Sequence, residues 1–146
     1  MRFLLDAMLG KLATYLRMCG HDAAYAPDRG VEADDDVSDL ARREDRTLLT
    51  RDVALADRTG GAVLLTSRAI DDQLDELRAA GVSLSLPATP TRCGRCNGRL
   101  EPVADDAATP PEVPDPGTTD VRRCVECGQH FWKGSHWDDV RRRLAE

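Results

Sequence analysis

RFLLDAMLGKLATYLRMCGHDAAYAP, residues 2–27, combines short apolar runs with a helical repeat. RFLLD (2–6) has the pattern of a buried strand that ends in an acid. In MLGKLATYLRMCG (8–20), leucines recur at helical spacing before a glycine. HDAAYAP then has the length and composition for a second short strand. Strand, turn, helix and strand in this order are typical of an α/β fold.

The same alternation of strands and helices continues downstream. Helices are predicted over 33–44, 52–58 and 69–81, and strands over 46–50, 61–67 and 82–86. Because several strands are continuous apolar runs, we expect a mainly parallel sheet that is covered by helices on both faces. We therefore predict an α/β domain over residues 1–88, followed by a proline-containing linker, LPATPTR.

Two cysteine pairs follow the linker, and each pair has the spacing of a metal-binding turn. The pairs C-G-R-C and C-V-E-C supply the thiolates of Cys93, Cys96, Cys124 and Cys127. Two such turns can complete a tetrahedron around zinc, and a shell of four cysteines is closed, so this zinc would be structural. Disulfides and a thioredoxin-like redox pair are the less favoured alternatives. Cys19, on the apolar face of the first helix, is interpreted as buried packing.

Residues 91–146 are therefore predicted to form a small zinc ribbon. A module of this size cannot build a sufficient core, and bound zinc would replace it. The acidic, proline-rich segment 101–120 is predicted to be a loop inside the ribbon. SHWDDVRRRLAE is predicted to form a short C-terminal helix, with Ser135 as a possible cap.

Several aspartates follow predicted strands or begin predicted helices. Asp6 closes the first strand, Asp34 and Asp35 open a helix, and Asp52 follows RTLLT. In a parallel sheet these places share the carboxyl edge, where ligands gather. Carboxylates that converge repel one another unless a hard cation such as Mg²⁺ or Mn²⁺ joins them. The alternative is that Asp34 and Asp52 only cap helices, an explanation that does not suit Asp6.

These motifs, taken together and in order, resemble the Mut-seven C-terminal RNase domain (Mut7-C) family. The resemblance rests on DAMLGKLATYLRMCGHD, ADDDVSDLARRE, LLTRD, DQL, the cysteine pairs and FWKGSHW, and it covers essentially the whole chain. It implies a PIN-like three-layer α/β/α sandwich fused to a zinc ribbon. It also implies RNA cleavage with Mg²⁺ or Mn²⁺ bound by Asp6, by Asp34 or Asp35, and by Asp52. Asp57 is a candidate fourth ligand.

Basic and aromatic residues suggest where RNA would bind. Outside the segment 101–120, residues 91–146 carry nine basic and four acidic side chains, although the whole chain has a net charge of -6. Phe131, Trp132 and Trp137 can stack on unpaired bases, but a miniature core around zinc is the favoured interpretation of the two tryptophans. The candidate phosphate contacts are Lys11, Arg51, Arg122, Arg123 and Lys133. For Lys11 and Arg51 the alternative role is to balance the charge of the nearby aspartates.

The leading hypothesis is a metal-dependent endoribonuclease that acts on RNA, expected to be single-stranded, with the ribbon positioning RNA or a partner such as the ribosome. The alternatives are a non-catalytic RNA- or ribosome-associated binding module and a protein-protein adaptor that uses the ribbon. No apolar run approaches the roughly 20 residues needed to span a bilayer, and the N-terminus lacks signal-peptide features. We therefore expect a cytoplasmic protein without a membrane partner.

Overall fold

A four-stranded parallel sheet forms the centre of the N-terminal part of the chain. The structure is a computed structural model and describes residues 1–145. The strands lie side by side in the order β2-β1-β3-β4, and each neighbouring pair is parallel. Their bounds are β1 Arg2–Leu5, β2 Asp22–Tyr25, β3 Thr47–Thr50 and β4 Val63–Leu64.

Five α-helices are present in the described part of the chain. They are α1 Gly10–Met18, α2 Asp34–Arg43, α3 Val53–Asp57, α4 Ile70–Ala79 and α5 Ser135–Leu144. Single 3-10 turns occupy Ala7–Leu9 and Ala26–Arg29. No described helix is both long enough and apolar enough to cross a membrane.

Side chains from the central strands point alternately into two apolar layers. Phe3 and Leu5 pack in one core, which includes residues of α1, α4 and α5. Leu4 and Leu48 face the opposite core, which is built largely by α2 and α3. Alternation along a strand puts successive side chains on opposite faces, so continuous apolar runs require helices on both sides. The predicted three-layer α/β/α arrangement is therefore confirmed.

The cysteine-rich part of the chain forms a second, antiparallel sheet. Its three strands are β5 Leu100–Pro102, β6 Arg122–Cys124 and β7 His130–Phe131, with β6 in the middle. Between β5 and β6 the chain makes turns but no helix or strand. The segment 101–120 was predicted to be a loop, and its first two residues instead belong to β5.

The prediction of a strand over residues 82–86 is wrong. This segment has no regular secondary structure, although Val82 and Leu84 are buried in the core beside α1 and α4. β4 is only two residues long. The burial of Val82 and Leu84 needs no strand pairing, so their alternation with polar residues does not by itself specify a strand.

Helix α5 packs against the parallel sheet layer rather than standing apart with the ribbon. Its Val140 and Leu144 are buried in the same core as Phe3. Arg78 donates a 2.6 Å hydrogen bond to the carbonyl of Leu144. The predicted Ser135 cap is wrong, because Gly134 occupies the cap position and Ser135 is the first helical residue. The predicted ribbon ends at residue 146, and this last residue lies outside the described part.

Candidate functional sites

The cysteine pairs meet in one cluster that has the geometry of a zinc site. The four sulfur atoms of Cys93, Cys96, Cys124 and Cys127 all lie within 4.8 Å of one another. The Cys93–Cys127 and Cys96–Cys124 sulfur distances are 3.7 and 3.5 Å. A regular tetrahedron with Zn–S bonds of about 2.3 Å has edges of about 3.8 Å. The cluster can therefore hold zinc, and the donor set fits this metal.

Backbone N–H groups in the second turn point at one of these sulfurs. The backbone nitrogens of Glu126 and Cys127 donate to Cys124 Sγ at 3.4 and 3.5 Å. Burial by itself raises the pKa of the Cys124 thiol. These hydrogen bonds, together with contacts to the Cys96 and Cys127 thiols, outweigh burial and lower the pKa to about 7. By contrast, burial raises the pKa of Cys19, which packs against the core, to about 11. Cys19 is half-buried and packs against the main core, as expected.

The first cysteine turn docks on α1 through a buried arginine. Arg17 is 3% exposed, and it donates to the carbonyls of Ala23 (2.8 Å) and Gly94 (3.1 Å). Burial lowers the pKa of its guanidinium. Thr14 also donates to the Gly94 carbonyl, and a Cβ on Gly94 would lie 3.3 Å from the Thr14 methyl. The close approach of turn and helix thus depends on this glycine.

A second contact between the ribbon and the sheet is made by Asn97, which follows the first cysteine pair. Its Oδ1 accepts from the backbone nitrogen of Ala23 at 2.9 Å, and its Nδ2 donates to Asp22 at 2.7 Å. Asp22 also accepts from Arg46 at 2.7 Å. The ribbon is therefore attached to the outer edge of β2 by a specific polar network.

Replacing Arg17 with methionine tests this attachment. The change keeps an apolar stem but leaves the carbonyls of Ala23 and Gly94 without their donor, so we expect the free energy of unfolding to fall by about 2–3 kcal/mol. Urea denaturation followed by circular dichroism measures the change. Arg42→Met is the matched control, because Arg42 is 65% exposed, and its effect should stay within about 0.5 kcal/mol. Equal effects of the two substitutions would contradict a docking role for Arg17.

At the carboxyl edge of the parallel sheet, one threonine links two of the predicted acids. Thr50 donates its hydroxyl to Asp6 Oδ2 at 2.7 Å and accepts from the Asp52 backbone nitrogen at 3.0 Å. β1 and β3 are neighbours in the sheet, so Asp6 and Asp52 follow adjacent parallel strands. Asp6 and Asp52 are thus neighbours across a buried threonine, which contacts the carboxylate of Asp6 but only the backbone of Asp52.

Both of these aspartates also have local roles in the backbone. Asp52 Oδ1 accepts from the Leu55 nitrogen at 3.1 Å and so caps α3, as the alternative interpretation predicted. Asp6 caps the Ala7–Leu9 turn by accepting from the Ala7 nitrogen at 2.8 Å. The expectation that Asp6 has no capping role is therefore wrong. The prediction missed that a 3-10 turn can begin immediately after β1.

The other two acids lie at the start of α2. Asp34 is half-buried and is the first residue of the helix. Because Ala33 occupies the cap position, the Asp34 side chain does not cap α2. Because α2 connects β2 to the parallel strand β3, its first turn lies at the same carboxyl edge as Asp6. Asp35 is exposed and forms an ion pair with Arg58.

The four acids do not by themselves close a metal shell. Within residues 1–145, no three carboxylates have oxygens that all lie within 4.8 Å of one another. Mg²⁺ usually keeps several waters and binds through one or two carboxylates together with substrate phosphates. The Asp6 carboxylate, held by Thr50 at the sheet edge, fits such an open site, and Asp52 is its neighbour along that edge. Asp34 and Asp35 are on the same edge without a direct contact to that pair.

Two candidate phosphate-binding side chains lie near this edge. Lys11 is exposed in the first turn of α1. Arg51 is half-buried between Thr50 and Asp52, and one of its guanidinium nitrogens lies 3.9 Å from the Met8 sulfur. Its Nε atom is buried and has no hydrogen-bond partner among the described residues. Both side chains are thus positioned where they could meet a bound phosphate.

The ribbon's candidate basic residues lie in two different places. Arg122 and Arg123 are on the middle strand β6, where Arg122 forms an ion pair with Asp120 at 3.6 Å. Lys133 is exposed, and its Nζ lies 5.9 Å from the centre of the Trp137 ring. Trp137 is only 5% exposed and Trp132 is half-buried. Neither tryptophan belongs to the apolar cluster around the cysteines, which instead includes Leu100 and Phe131, so the prediction of a miniature core built by the two tryptophans is wrong.

Three residues that position these sites were not predicted from the sequence: Thr50, Arg17 and Asn97. The sequence offers a weak indication for Thr50, because this residue ends a buried strand two residues before the candidate ligand Asp52. Asn97 follows a cysteine pair and has a positive φ of 74°, which asparagine tolerates better than most residues. Arg17 has no signal, because its partners at Ala23 and Gly94 are defined only by the folded chain.

Comparison with known proteins places the chain in a family. A family model described as the Mut7-C RNAse domain matches residues 1–144. No curated protein and no solved structure matches the chain. The match confirms the resemblance and points to a ribonuclease that acts on RNA. On this match over nearly the whole length, the chain belongs to the Mut7-C RNAse domain family.

Proposed function

We propose that this protein is a metal-dependent endoribonuclease that hydrolyses phosphodiester bonds in single-stranded RNA. The observation that carries the proposal is the placement of Asp6 and Asp52 on one threonine, at the carboxyl edge of a parallel sheet. Mg²⁺ or Mn²⁺ would be held by Asp6 and Asp52, with Asp34 or Asp35 contributing from α2. Such an ion, when bound, lowers the pKa of a coordinated water and stabilises the leaving oxygen.

The chain's own residues would prepare this site for a phosphodiester. The hydrogen bonds from Thr50 and Ala7 fix the Asp6 carboxylate and leave further lone pairs on both of its oxygens. Lys11 and Arg51 would offset the negative charge of an approaching RNA strand. Arg51 would do so through its terminal guanidinium nitrogens, one of which lies 3.9 Å from the Met8 sulfur.

We also propose that the four-cysteine cluster binds one structural zinc ion. The sulfur separations of 3.5 and 3.7 Å support this assignment, since they match the edges of a zinc tetrahedron. The ribbon would then be a fixed accessory to the catalytic edge, and the predicted division into residues 1–88 and 91–146 is part of this proposal. Its first turn is attached to α1 and β2, so it can position RNA relative to the sheet.

A cleavage assay tests the proposed activity and separates it from the alternatives. End-labelled single-stranded RNA is incubated with the zinc-loaded protein, with and without added Mn²⁺. Metal-free buffer is preferable to a chelator, which would also extract zinc. We expect internal cleavage only with Mn²⁺. RNA binding without cleavage would favour the non-catalytic binding module. The absence of a three-carboxylate cluster in residues 1–145 also favours that alternative. Neither binding nor cleavage would favour the protein-protein adaptor.

A further inference from the structure

A cleft of about 340 Å³ lies where the ribbon meets helices α1 and α5. Its lining includes Thr14 and Met18 of α1 and the segment that carries Trp132 and Trp137. Phe131 contributes a third aromatic ring. A cavity with this aromatic content and volume is large enough for a planar ligand.

The aromatic walls of the cleft are held in place by their surroundings. A Cβ on Gly134 would lie 2.8 Å from the Trp132 indole nitrogen, so the backbone there lies directly against that ring. Trp137 is 5% exposed. Phe131 packs against the cysteine cluster. Trp132 is half-buried and so keeps part of its surface open. Fixed aromatic rings stack on a ligand at a low cost in conformational entropy.

The charge of the cleft differs from that of the whole protein. The chain has 26 acidic residues and a net charge of -6. Within the part of the chain that the structure describes, no acidic residue lines the cleft, whereas Arg92 and Arg95 do. Arg95 reaches Gln129 at 3.4 Å, so a guanidinium and an amide lie together at the wall. This combination is complementary to a base that is attached to a phosphate.

One face of α1 connects the cleft to the acidic edge of the sheet. Lys11, Thr14 and Met18 are spaced by three and four residues and therefore lie on the same side of the helix. Thr14 and Met18 line the cleft, and Lys11 lies one helical turn nearer to the start of α1, which follows Asp6. At about 1.5 Å per residue, this face extends over roughly 10 Å. A nucleic-acid strand a few nucleotides long can therefore reach both places.

We propose that this cleft binds one unpaired base of single-stranded RNA and thereby positions the strand over Asp6 and Asp52. The proposal rests on the proposed ribonuclease function. Trp132 would stack on the base, Gln129 and Arg95 would meet its polar edge, and Lys11 would contact the phosphates on the way to the sheet. The cleft would thus select unpaired RNA, because a paired base cannot enter it.

Intrinsic fluorescence provides a direct test, because both tryptophans of the chain line the cleft. The zinc-loaded wild-type protein is titrated with an unlabelled eight-nucleotide RNA in buffer without Mn²⁺ or Mg²⁺, so that binding is measured without cleavage. We expect the fluorescence to be quenched. The corresponding hairpin duplex and the mononucleotides should quench it much more weakly.

Substitutions of Trp132 distinguish a role in stacking on RNA from a role in holding the ribbon together. In anisotropy measurements with labelled RNA, we expect Trp132→Ala to weaken binding by roughly 5- to 100-fold. Trp132→Phe, which keeps a stacking surface, should weaken it by less than about 5-fold. Val125→Ala is the control, since Val125 is an exposed apolar ribbon residue that does not line the cleft, and it should bind like wild type. Zinc content is measured for each variant.

Two results would overturn the inference. The first is unchanged RNA affinity in a zinc-loaded Trp132→Ala protein, and the second is equal quenching by mononucleotides and by the eight-nucleotide RNA, which would indicate a free-nucleotide site. Loss of binding in both Trp132→Ala and Trp132→Phe, with zinc retained, would also count against stacking. The binding measurements contain no Mn²⁺, so their outcome does not depend on whether the protein cleaves RNA. A failed cleavage assay and a failed binding test can therefore be told apart.

Discussion

Asparagine in place of Asp6 is expected to lower the rate of Mn²⁺-dependent RNA cleavage on the order of 10³-fold, which corresponds to about 4 kcal/mol of transition-state stabilisation. The substitution removes the charge of a proposed metal ligand while preserving its size. The asparagine oxygen can still accept from the Ala7 nitrogen, so the turn after β1 should remain intact. Initial rates with end-labelled RNA on denaturing gels measure the effect, and circular dichroism checks the fold.

The matched control for this experiment is Asp36→Asn. Asp36 is exposed in the first turn of α2 and undergoes the same change of charge in the same acidic segment. The Asp36→Asn protein should cleave RNA at a rate within about 2-fold of wild type, because salt screens the charge of an exposed side chain over distance. If Asp6→Asn cleaves as fast as wild type, the observed nuclease activity does not come from this edge of the sheet.

Serine in place of Cys124 is expected to abolish zinc binding and to unfold the ribbon. A hydroxyl does not replace a thiolate as a zinc ligand, and bound zinc contributes roughly 10 kcal/mol or more to the folding of small zinc modules. Wild-type protein should retain one zinc per chain after dialysis, and the variant essentially none. Mass spectrometric metal analysis gives the zinc content. Limited proteolysis should show rapid cutting of the variant between the two cysteine pairs.

Cys19→Ala supplies the control for the loss of a thiol. Cys19 packs against the main core and lies outside the cysteine cluster, so its variant should keep full zinc occupancy and resist protease in the ribbon. Equal zinc content in Cys124→Ser and Cys19→Ala would remove the support for a metal at the cluster.

The sequence predicted the elements whose burial pattern is unambiguous. Leu4 and Leu5 belong to one continuous apolar run, and the structure buries them on opposite faces of the sheet. The spacing of Cys93 and Cys96 likewise predicted a metal-binding turn, and the sulfurs do converge with those of the second pair. In both cases a few neighbouring residues are enough to predict the contact: burial on both faces of a sheet for the leucines, and a metal-binding turn for the cysteines.

Features that depend on distant partners escaped prediction. Residues 82–86 alternate like a strand, but their buried side chains reach the core without strand pairing. Helix α5 is amphipathic, yet nothing in its sequence indicates that Val140 packs beside Phe3. The link through Thr50 depends on the register of β1 against β3, which the sequence leaves open. The roles of the predicted acids and basic residues in catalysis stay predictions.

The attachment of Asn97 and Arg17 to β2 has a consequence for self-association. β2 is an outer strand, and such strands recruit strands from other molecules when their amide and carbonyl groups are free. Here the outward amide of Ala23 is occupied by Asn97 and its carbonyl by Arg17. The cysteine turn, through Asn97, therefore blocks one of the two outward groups of Ala23, and α1 blocks the other. If loss of metal released the turn, the Ala23 amide would be free to pair with a strand from another molecule.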